Sequence, residues 1–124
     1  MTGRIDLARR KPRAEAEASE FRPAIARIWH GVTPKSKRDE FIHYVGATGM
    51  EEMKNSKGNR GAYLFTRDIG DNTEFVLVSL WDSEESIKKF AGADITKAKY
   101  YRRDREFLAE LEPGVAHFRV AGKV

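Results

Sequence analysis

The sequence predicts an α+β fold in which helices cover one face of a four-stranded antiparallel sheet. Three features indicate it: four stretches with strand-like alternation, two helical regions between them, and a glycine-containing turn joining the middle strands. The resulting order, β-α-β-β-α-β, is the split βαβ or ferredoxin-like arrangement. Because right-handed crossovers place both helical regions on one side, we expect the other face of the sheet to be bare.

Residues 73–94 organise the predicted fold. Apolar side chains fall on both faces of residues 73–81, which is typical of a central strand covered on both sides. Asp82 is predicted to cap a short helix, with Glu85 completing a capping box and Gly92 ending the helix.

The other elements follow from alternation and from breaker residues. A first strand over residues 24–32 is predicted to end at Gly31, and a helix begins at Pro34 and runs to Ser56. The remaining predicted elements are a second strand over 62–68, a hairpin loop at 70–72, a helical stretch from Asp94 to about Leu111 and a last strand over 115–121.

Alternation also predicts which face of the sheet the helices cover. A uniformly apolar set is expected beneath the helices: Ala26, Ile28, Val76, Val78, Leu80, Ala116, Phe118 and Val120. The second set is mixed and aromatic: Arg27, Trp29, Tyr63, Phe65, Phe75, Ser79, Trp81, His117 and Arg119. Exposing so much aromatic surface is unusual, so we expect a homodimer that packs sheet face to sheet face.

Composition limits the classes of function. The 124 residues predict a basic, alanine-rich arm at 1–22 and one domain at 23–124. Residues 1–13 alone have a net charge of +4 and the remaining 111 residues are formally neutral, so the domain is not expected to bind nucleic acid, and no apolar run is long enough for a membrane. The absence of cysteine excludes disulfides and thiolate chemistry, and it fits a cytoplasmic location.

Histidines are the candidate catalytic bases. His30 ends the first strand and His43 lies on the first helix, and an imidazole that titrates near neutral pH can remove a phenol or enol proton. Alternatively, His30 is satisfied by a backbone carbonyl and His43 is half-exposed. Their spacing predicts no metal site.

Aromatic and basic side chains are the candidate ligand-binding groups. Trp29, Trp81, Phe90, Tyr100 and Tyr101 are expected to bind a small flat apolar or aromatic molecule. Arg67, with Arg27 and Arg119, is a candidate for stabilising an anion on that molecule. The alternative for both tryptophans is burial at the dimer interface, and residues 102–106 are predicted to form a solvated helix face.

The segment TEFVLVSLWDSEESIKKF and the closing VAHFRV, together with the element order, resemble the antibiotic biosynthesis monooxygenase (ABM) domain of the dimeric α+β barrel superfamily. The resemblance covers about residues 24–122. It implies a homodimer with a pocket between sheet and helices in each subunit. Some members oxidise polycyclic phenols to quinones with O₂ and no cofactor, and others bind or degrade haem.

The haem-degrading members typically carry an asparagine on the first strand, a tryptophan late in the second helix and an iron-ligating histidine after it. Here the first strand has no asparagine, and Phe90 and Tyr100 occupy the other two positions. Tyrosine can ligate haem iron, so Tyr100 or Tyr101 keeps a haem alternative open.

Together with the candidate residues, the resemblance implies a cofactor-independent monooxygenase that deprotonates a small phenolic or enolisable compound for direct reaction with O₂. The alternative is a dimeric protein that binds haem or another small ligand, either without catalysis or with haem degradation. A third hypothesis is a dimeric scaffold whose basic arm engages an anionic partner.

Overall fold

The computed structural model describes residues 22–124. They form one antiparallel sheet of four strands in the order β2-β3-β1-β4. The strands are β1 (Ile25–Pro34), β2 (Asn59–Ile69), β3 (Asn72–Trp81) and β4 (Ala116–Arg119). This order confirms the predicted ferredoxin-like fold class. The predicted arm lies, except for its last residue, outside the described residues, and the domain boundary stays a prediction.

The first helical region is shorter and more broken than predicted. β1 continues through Gly31 to Pro34, a 3₁₀ turn covers Lys35–Lys37, and the helices are α1 (Arg38–Ala47) and α2 (Gly49–Lys54). The break falls at Thr48, whose backbone leaves the helical region at φ −117° and ψ −88°. Two glycines near this point lower the local helix propensity, which is consistent with the break.

The helix α3 (Glu84–Ala91) begins one residue later than predicted. Ser83, not Asp82, is its N-cap, and the Ser83 hydroxyl accepts a hydrogen bond of 3.2 Å from the N–H of Ser86. Asp82 still donates its own N–H to the carbonyl of Gly58, so the strand pairing has not yet ended there. Gly92 ends the helix at φ +102°, as predicted.

The third helical region is mostly not helical. Only α4 (Asp104–Phe107) forms, although helix was predicted from Asp94 to about Leu111. The carboxylate of Asp94 instead accepts bonds from the N–H and hydroxyl of Thr96, which makes a turn. The chain then pairs with residues 113–114, and this pairing replaces the helical hydrogen bonds.

The predicted faces are wrong for β1, β3 and β4. The side chains of β3 that face the helices are at most 8% exposed: Phe75, Leu77, Ser79 and Trp81. The apolar ones among them share the core with four helix residues, Phe41, Ile87, Phe90 and Phe107. The set that was expected in the core lies on the bare face. Tyr63 pairs with Val78, so the aromatic residues of β2 also belong to the bare face, with Tyr63 63% exposed.

Within residues 22–124, none of the helices has the length and apolar composition needed to cross a bilayer.

Candidate functional site

A cavity of about 50 Å³ lies between the helix-covered face of the sheet and residues 99–104. At about 10–15 Å³ for each water, it has room for about three to five water molecules. Its walls are mainly aromatic and aliphatic: Trp29, Phe41, Val45, Met53, Leu77, Phe90, Tyr100, Tyr101 and Val115. Three charged residues also line it, namely Arg27, Lys99 and Asp104.

Trp29 forms one wall because Gly31 leaves space for its ring. A Cβ built on Gly31 would lie 2.3 Å from the indole, so any larger residue would displace it. The indole N–H donates to the hydroxyl of Tyr100 over 3.2 Å, and that hydroxyl donates to the carbonyl of Glu112. β1 thereby positions Trp29 and, through it, Tyr100.

Lys99 and Tyr101 close the mouth of the cavity against α2. The ring of Tyr101 packs over Gly49, and its hydroxyl donates to Glu52. Lys99 Nζ lies 2.7 Å from the other carboxylate oxygen of Glu52 and 4.4 Å from the ring centroid of Phe90. Burial, reinforced by Glu52, raises the pKa of Tyr101 strongly, so this phenol stays protonated.

Asp104 is a buried carboxyl group at the cavity. It is 6% exposed, and its Oδ2 accepts the N–H of Tyr101 over 2.5 Å. No ion pair joins it to any cation in the part of the chain that the structure describes. Burial raises its pKa, although the bond from Tyr101 opposes the shift. A carboxylate of raised basicity beside an apolar cavity is suited to proton transfer.

The sequence prediction that Asp104 lies on a solvated helix face is wrong. The flanking arginines and Glu106 indicate a charged surface, but the spacing of Asp104 from the next apolar residues is that of one side of a helix. Asp104 lies three and four residues before Phe107 and Leu108, both of which are buried. That i, i+3, i+4 spacing places the carboxyl on the inward side of α4 and is the signal that could have found it.

Arg27 reaches the cavity from β1. It is 4% exposed and donates to the carbonyls of Ile95 (2.6 Å) and Lys97 (2.9 Å) and to Nε2 of His117 (3.0 Å). Burial, followed by the charge of Arg27, lowers the pKa of His117, so its ring is neutral and accepts this bond. Both residues were predicted at the dimer face, and the structure places them on the helix-covered side instead.

The two candidate bases lie outside the cavity. His30 is on the bare face, where its nitrogens lie 2.8 Å from Glu74 and 2.7 Å from Glu112. Burial opposes protonation of His30, but its hydrogen bonds to the two glutamates outweigh burial and raise its pKa. His43 is exposed on α1. The structure therefore does not bring the histidines to the aromatic cavity, and their catalytic role stays a prediction that this geometry does not favour.

Four of the six predicted ligand-binding residues line the cavity: Trp29, Phe90, Tyr100 and Tyr101. Trp81 is fully buried in the core, 5.1 Å from the ring centroid of Phe90. Arg67 lies on the bare face and donates to Glu74 over 2.5 Å. Trp81 packs against Phe90, which lines the cavity, whereas Arg67 lies on the opposite face of the sheet from the cavity.

The model of the family described as "Antibiotic biosynthesis monooxygenase" matches residues 24–99, which is more than half of the chain. The chain belongs to this family. The match includes β1, β2, β3 and α3, so it covers most of the walls of the cavity in this ABM protein. The charged residue Asp104 lies beyond it. A search of curated proteins found no significant match.

Two solved structures were compared with this chain, and the first supports the ABM fold. One is a putative antibiotic biosynthesis monooxygenase from Bacillus cereus, with a TM-score of 0.56 and 12% identity, covering 84% of this chain and 98% of that chain. Another is Rv0793 from Mycobacterium tuberculosis, with a TM-score of 0.49 and 17% identity, covering 82% of this chain and 96% of that chain. At 12% identity the likeness to the Bacillus cereus protein concerns the fold alone.

The tyrosines of this ABM cavity do not fit an iron-ligating role. The hydroxyl of Tyr100 is held by Trp29 and Glu112, and that of Tyr101 by Glu52. Burial raises the pKa of both phenols, which opposes the phenolate that iron requires. Among residues 22–124, no group of three histidine or acidic side chains is arranged to hold a metal ion.

A haemin titration followed in the Soret region is therefore expected to give only a non-saturating drift. Tyr100→Phe and Tyr101→Phe should give the same curve as the wild type, because neither phenol is expected to ligate iron. A saturable, stoichiometric shift that weakens in either variant would contradict this prediction.

Proposed function

We propose that this ABM protein is a cofactor-independent monooxygenase that acts on a small, flat phenolic or enolisable compound. The observation that carries the proposal is the buried carboxyl of Asp104 beside an aromatic cavity. Aromatic walls favour a planar ring system. Family membership supports the class of reaction, and the cavity supports the class of substrate.

The chemistry needs a base and direct contact between substrate and O₂. In the proposed reaction the carboxylate of Asp104 removes a proton from an acidic C–H group of the ring system and so creates an electron-rich carbanion or enolate. This anion adds to O₂, forms a C–O bond and, after taking up a proton, becomes a hydroperoxide. Loss of water from the hydroperoxide leaves a carbonyl, so the balance is R₂CH₂ + O₂ → R₂C=O + H₂O.

Raised basicity suits Asp104 to this step. A general base is most effective when its pKa lies near the operating pH, and general-base catalysis contributes about 10²–10⁴-fold. A carboxylate with an ordinary pKa is less basic, and so removes a proton from a carbon acid less effectively, than one with a raised pKa. The burial of Asp104 shifts its pKa in the required direction.

The substrate enters, in this proposal, by displacing the Lys99–Tyr101 segment. The cavity of about 50 Å³ is smaller than the roughly 150 Å³ that holds a benzene ring. The side chains of Lys99 and Tyr101 are held by polar contacts to Glu52 and by packing on Gly49, and the hydroxyl of Tyr100 is held by Trp29 and Glu112. Opening exchanges those polar contacts for contacts with water, which costs less than breaking a packed apolar core.

We also propose that a second copy of the chain covers the bare face of the sheet. The centre of that face is a row of paired residues across four strands: Tyr63, Val78, Ile28 and Ala116. Its charged residues already pair within the chain, as His30 does with Glu74. Covering the face therefore buries apolar surface without leaving these charges unpaired.

Oxygen uptake with anthrone, an enolisable tricyclic compound, tests the proposed function. We expect the native protein to consume O₂ about tenfold or more faster than the heat-denatured protein, with one anthraquinone formed for each O₂. With ¹⁸O₂ the label should appear in the new carbonyl, and dialysis against a chelator should not change the rate. Uptake equal to that of the denatured control would contradict the proposal.

A further inference from the structure

We infer that the ligand of the cavity carries a carboxylate or an equivalent anionic oxygen, which pairs with Arg27. The inference rests on the cavity being the ligand site of the proposed function. It adds the charge of the ligand and the side chain that recognises it.

The guanidinium of Arg27 is buried without a counter-ion. It is 4% exposed, and no ion pair joins it to a carboxylate among residues 22–124. Burying a charge is costly unless an opposite charge or full hydrogen bonding compensates it. Since the burial of Arg27 does not come with a partner anion, a bound anion would supply the missing compensation.

The guanidinium also has donors to spare. An arginine side chain has five N–H donors, and three of them point to Ile95, Lys97 and His117, so two remain without a partner among the described residues. The three fixed bonds hold the planar group in one orientation. A fixed guanidinium is pre-organised for a carboxylate, which accepts two parallel N–H bonds.

The other charged groups at the cavity do not compete for this role. Lys99 is paired with Glu52 at the mouth, where its Nζ lies 2.7 Å from the carboxylate. The neighbours of Arg27 are two main-chain carbonyls and a neutral imidazole. Asp104, the remaining charged residue of the lining, forms no ion pair with Arg27, so among the cavity-lining residues of the described part of the chain Arg27 is the cation without an ion pair.

A purely structural role for Arg27 is the competing explanation. Its bonds to the carbonyls of Ile95 and Lys97 tie that loop to β1. That role explains the three bonds, but it needs neither a permanent charge nor a place in the lining of the cavity. It also predicts no preference between a charged and a neutral ligand of the same shape.

Binding of 2-naphthoate and of 2-naphthamide, which share a ring system and differ in charge, tests the inference. Titration calorimetry should show that the wild type binds 2-naphthoate at least about tenfold more tightly than 2-naphthamide. One charged hydrogen-bonded pair provides a difference in affinity of this size. In Arg27→Gln, the affinity for 2-naphthoate should fall to that for 2-naphthamide. The affinity for 2-naphthamide should change less than about twofold. Lys89→Gln removes the same charge at an exposed site on α3 and should change neither affinity.

The outcomes distinguish a failure of the inference from a failure of the cavity as the ligand site. Equal binding of both probes to the wild type would overturn the inference and leave the ligand site of the proposed function standing. No binding of either probe would overturn both. Equal weakening of both probes in Arg27→Gln would assign Arg27 a structural role. Should that variant fail to fold, the preference of the wild type decides alone.

Discussion

Asp104→Asn is expected to lower the turnover of anthrone by about 10²-fold or more and to leave its affinity nearly unchanged. The substitution removes the basic oxygen, so the proton of the bound substrate has no acceptor, whereas the aromatic walls that bind the ring stay intact. Oxygen uptake at saturating anthrone measures the first effect, and calorimetric titration in the absence of O₂ measures the second.

Folding of the variant can be checked independently. The asparagine amide oxygen still accepts the N–H of Tyr101, so the turn before α4 is kept. Because burial raises the pKa of Asp104 in the folded chain, the folded state binds the proton more tightly than the unfolded state. Stability is therefore lost as the pH rises from the unfolded to the folded pKa, and Asp104→Asn, which has no charge, should not lose it.

The pH dependence separates a catalytic role for Asp104 from a structural one. The rate of the wild type should rise with pH as Asp104 loses its proton, at a higher pH than an ordinary carboxyl would give. This rise, the acidic limb of the pH–rate profile, should be absent from the residual rate of Asp104→Asn. Glu110→Gln, at an exposed position after the same helix, is the matched control and should keep the limb. Full turnover in Asp104→Asn would return the search for a base to the histidines.

Much of the fold was predictable because its signals are local. The hairpin between β2 and β3, the end of α3 at Gly92 and the alternation of each strand are visible in short segments. The choice of face was not, because β3 is apolar on both faces and its alternation fits either orientation. The faces of neighbouring strands are related only by their cross-strand registers, of which the pairing of Tyr63 with Val78 is one example.

The site was predictable where it depends on residue type and not where it depends on distant contacts. Aromatic residues such as Trp29 and Tyr101 are conspicuous in the sequence, and the structure brings them together. Lys99 acquires its place from Glu52, which lies 47 residues away along the chain. His30 is a candidate base by its residue type, whereas the alternation of β1 places it on the bare face of the sheet, where it contacts Glu74 and Glu112.

Val78→Glu is expected to convert a dimer into a monomer, because Val78 lies at the centre of the bare face. Its neighbours across β1 and β2 are Ile28 and Tyr63, so the proposed interface would enclose the new carboxylate in apolar surface. A buried unpaired charge costs several kcal/mol, which corresponds to a loss of about 10³-fold or more in dimer affinity. In the isolated subunit the same side chain can reach water, so the fold should survive.

Light scattering coupled to size-exclusion chromatography measures the mass of each variant, and circular dichroism checks its folding. Thr66→Glu places the same charge at an exposed position on the opposite face of β2 and should leave the mass at that of the dimer. A wild type of monomer mass would show that this sheet face is bare in solution. A folded Val78→Glu chain that remains dimeric would place the interface elsewhere on the molecule, because a glutamate could not be tolerated at the centre of a dry apolar contact.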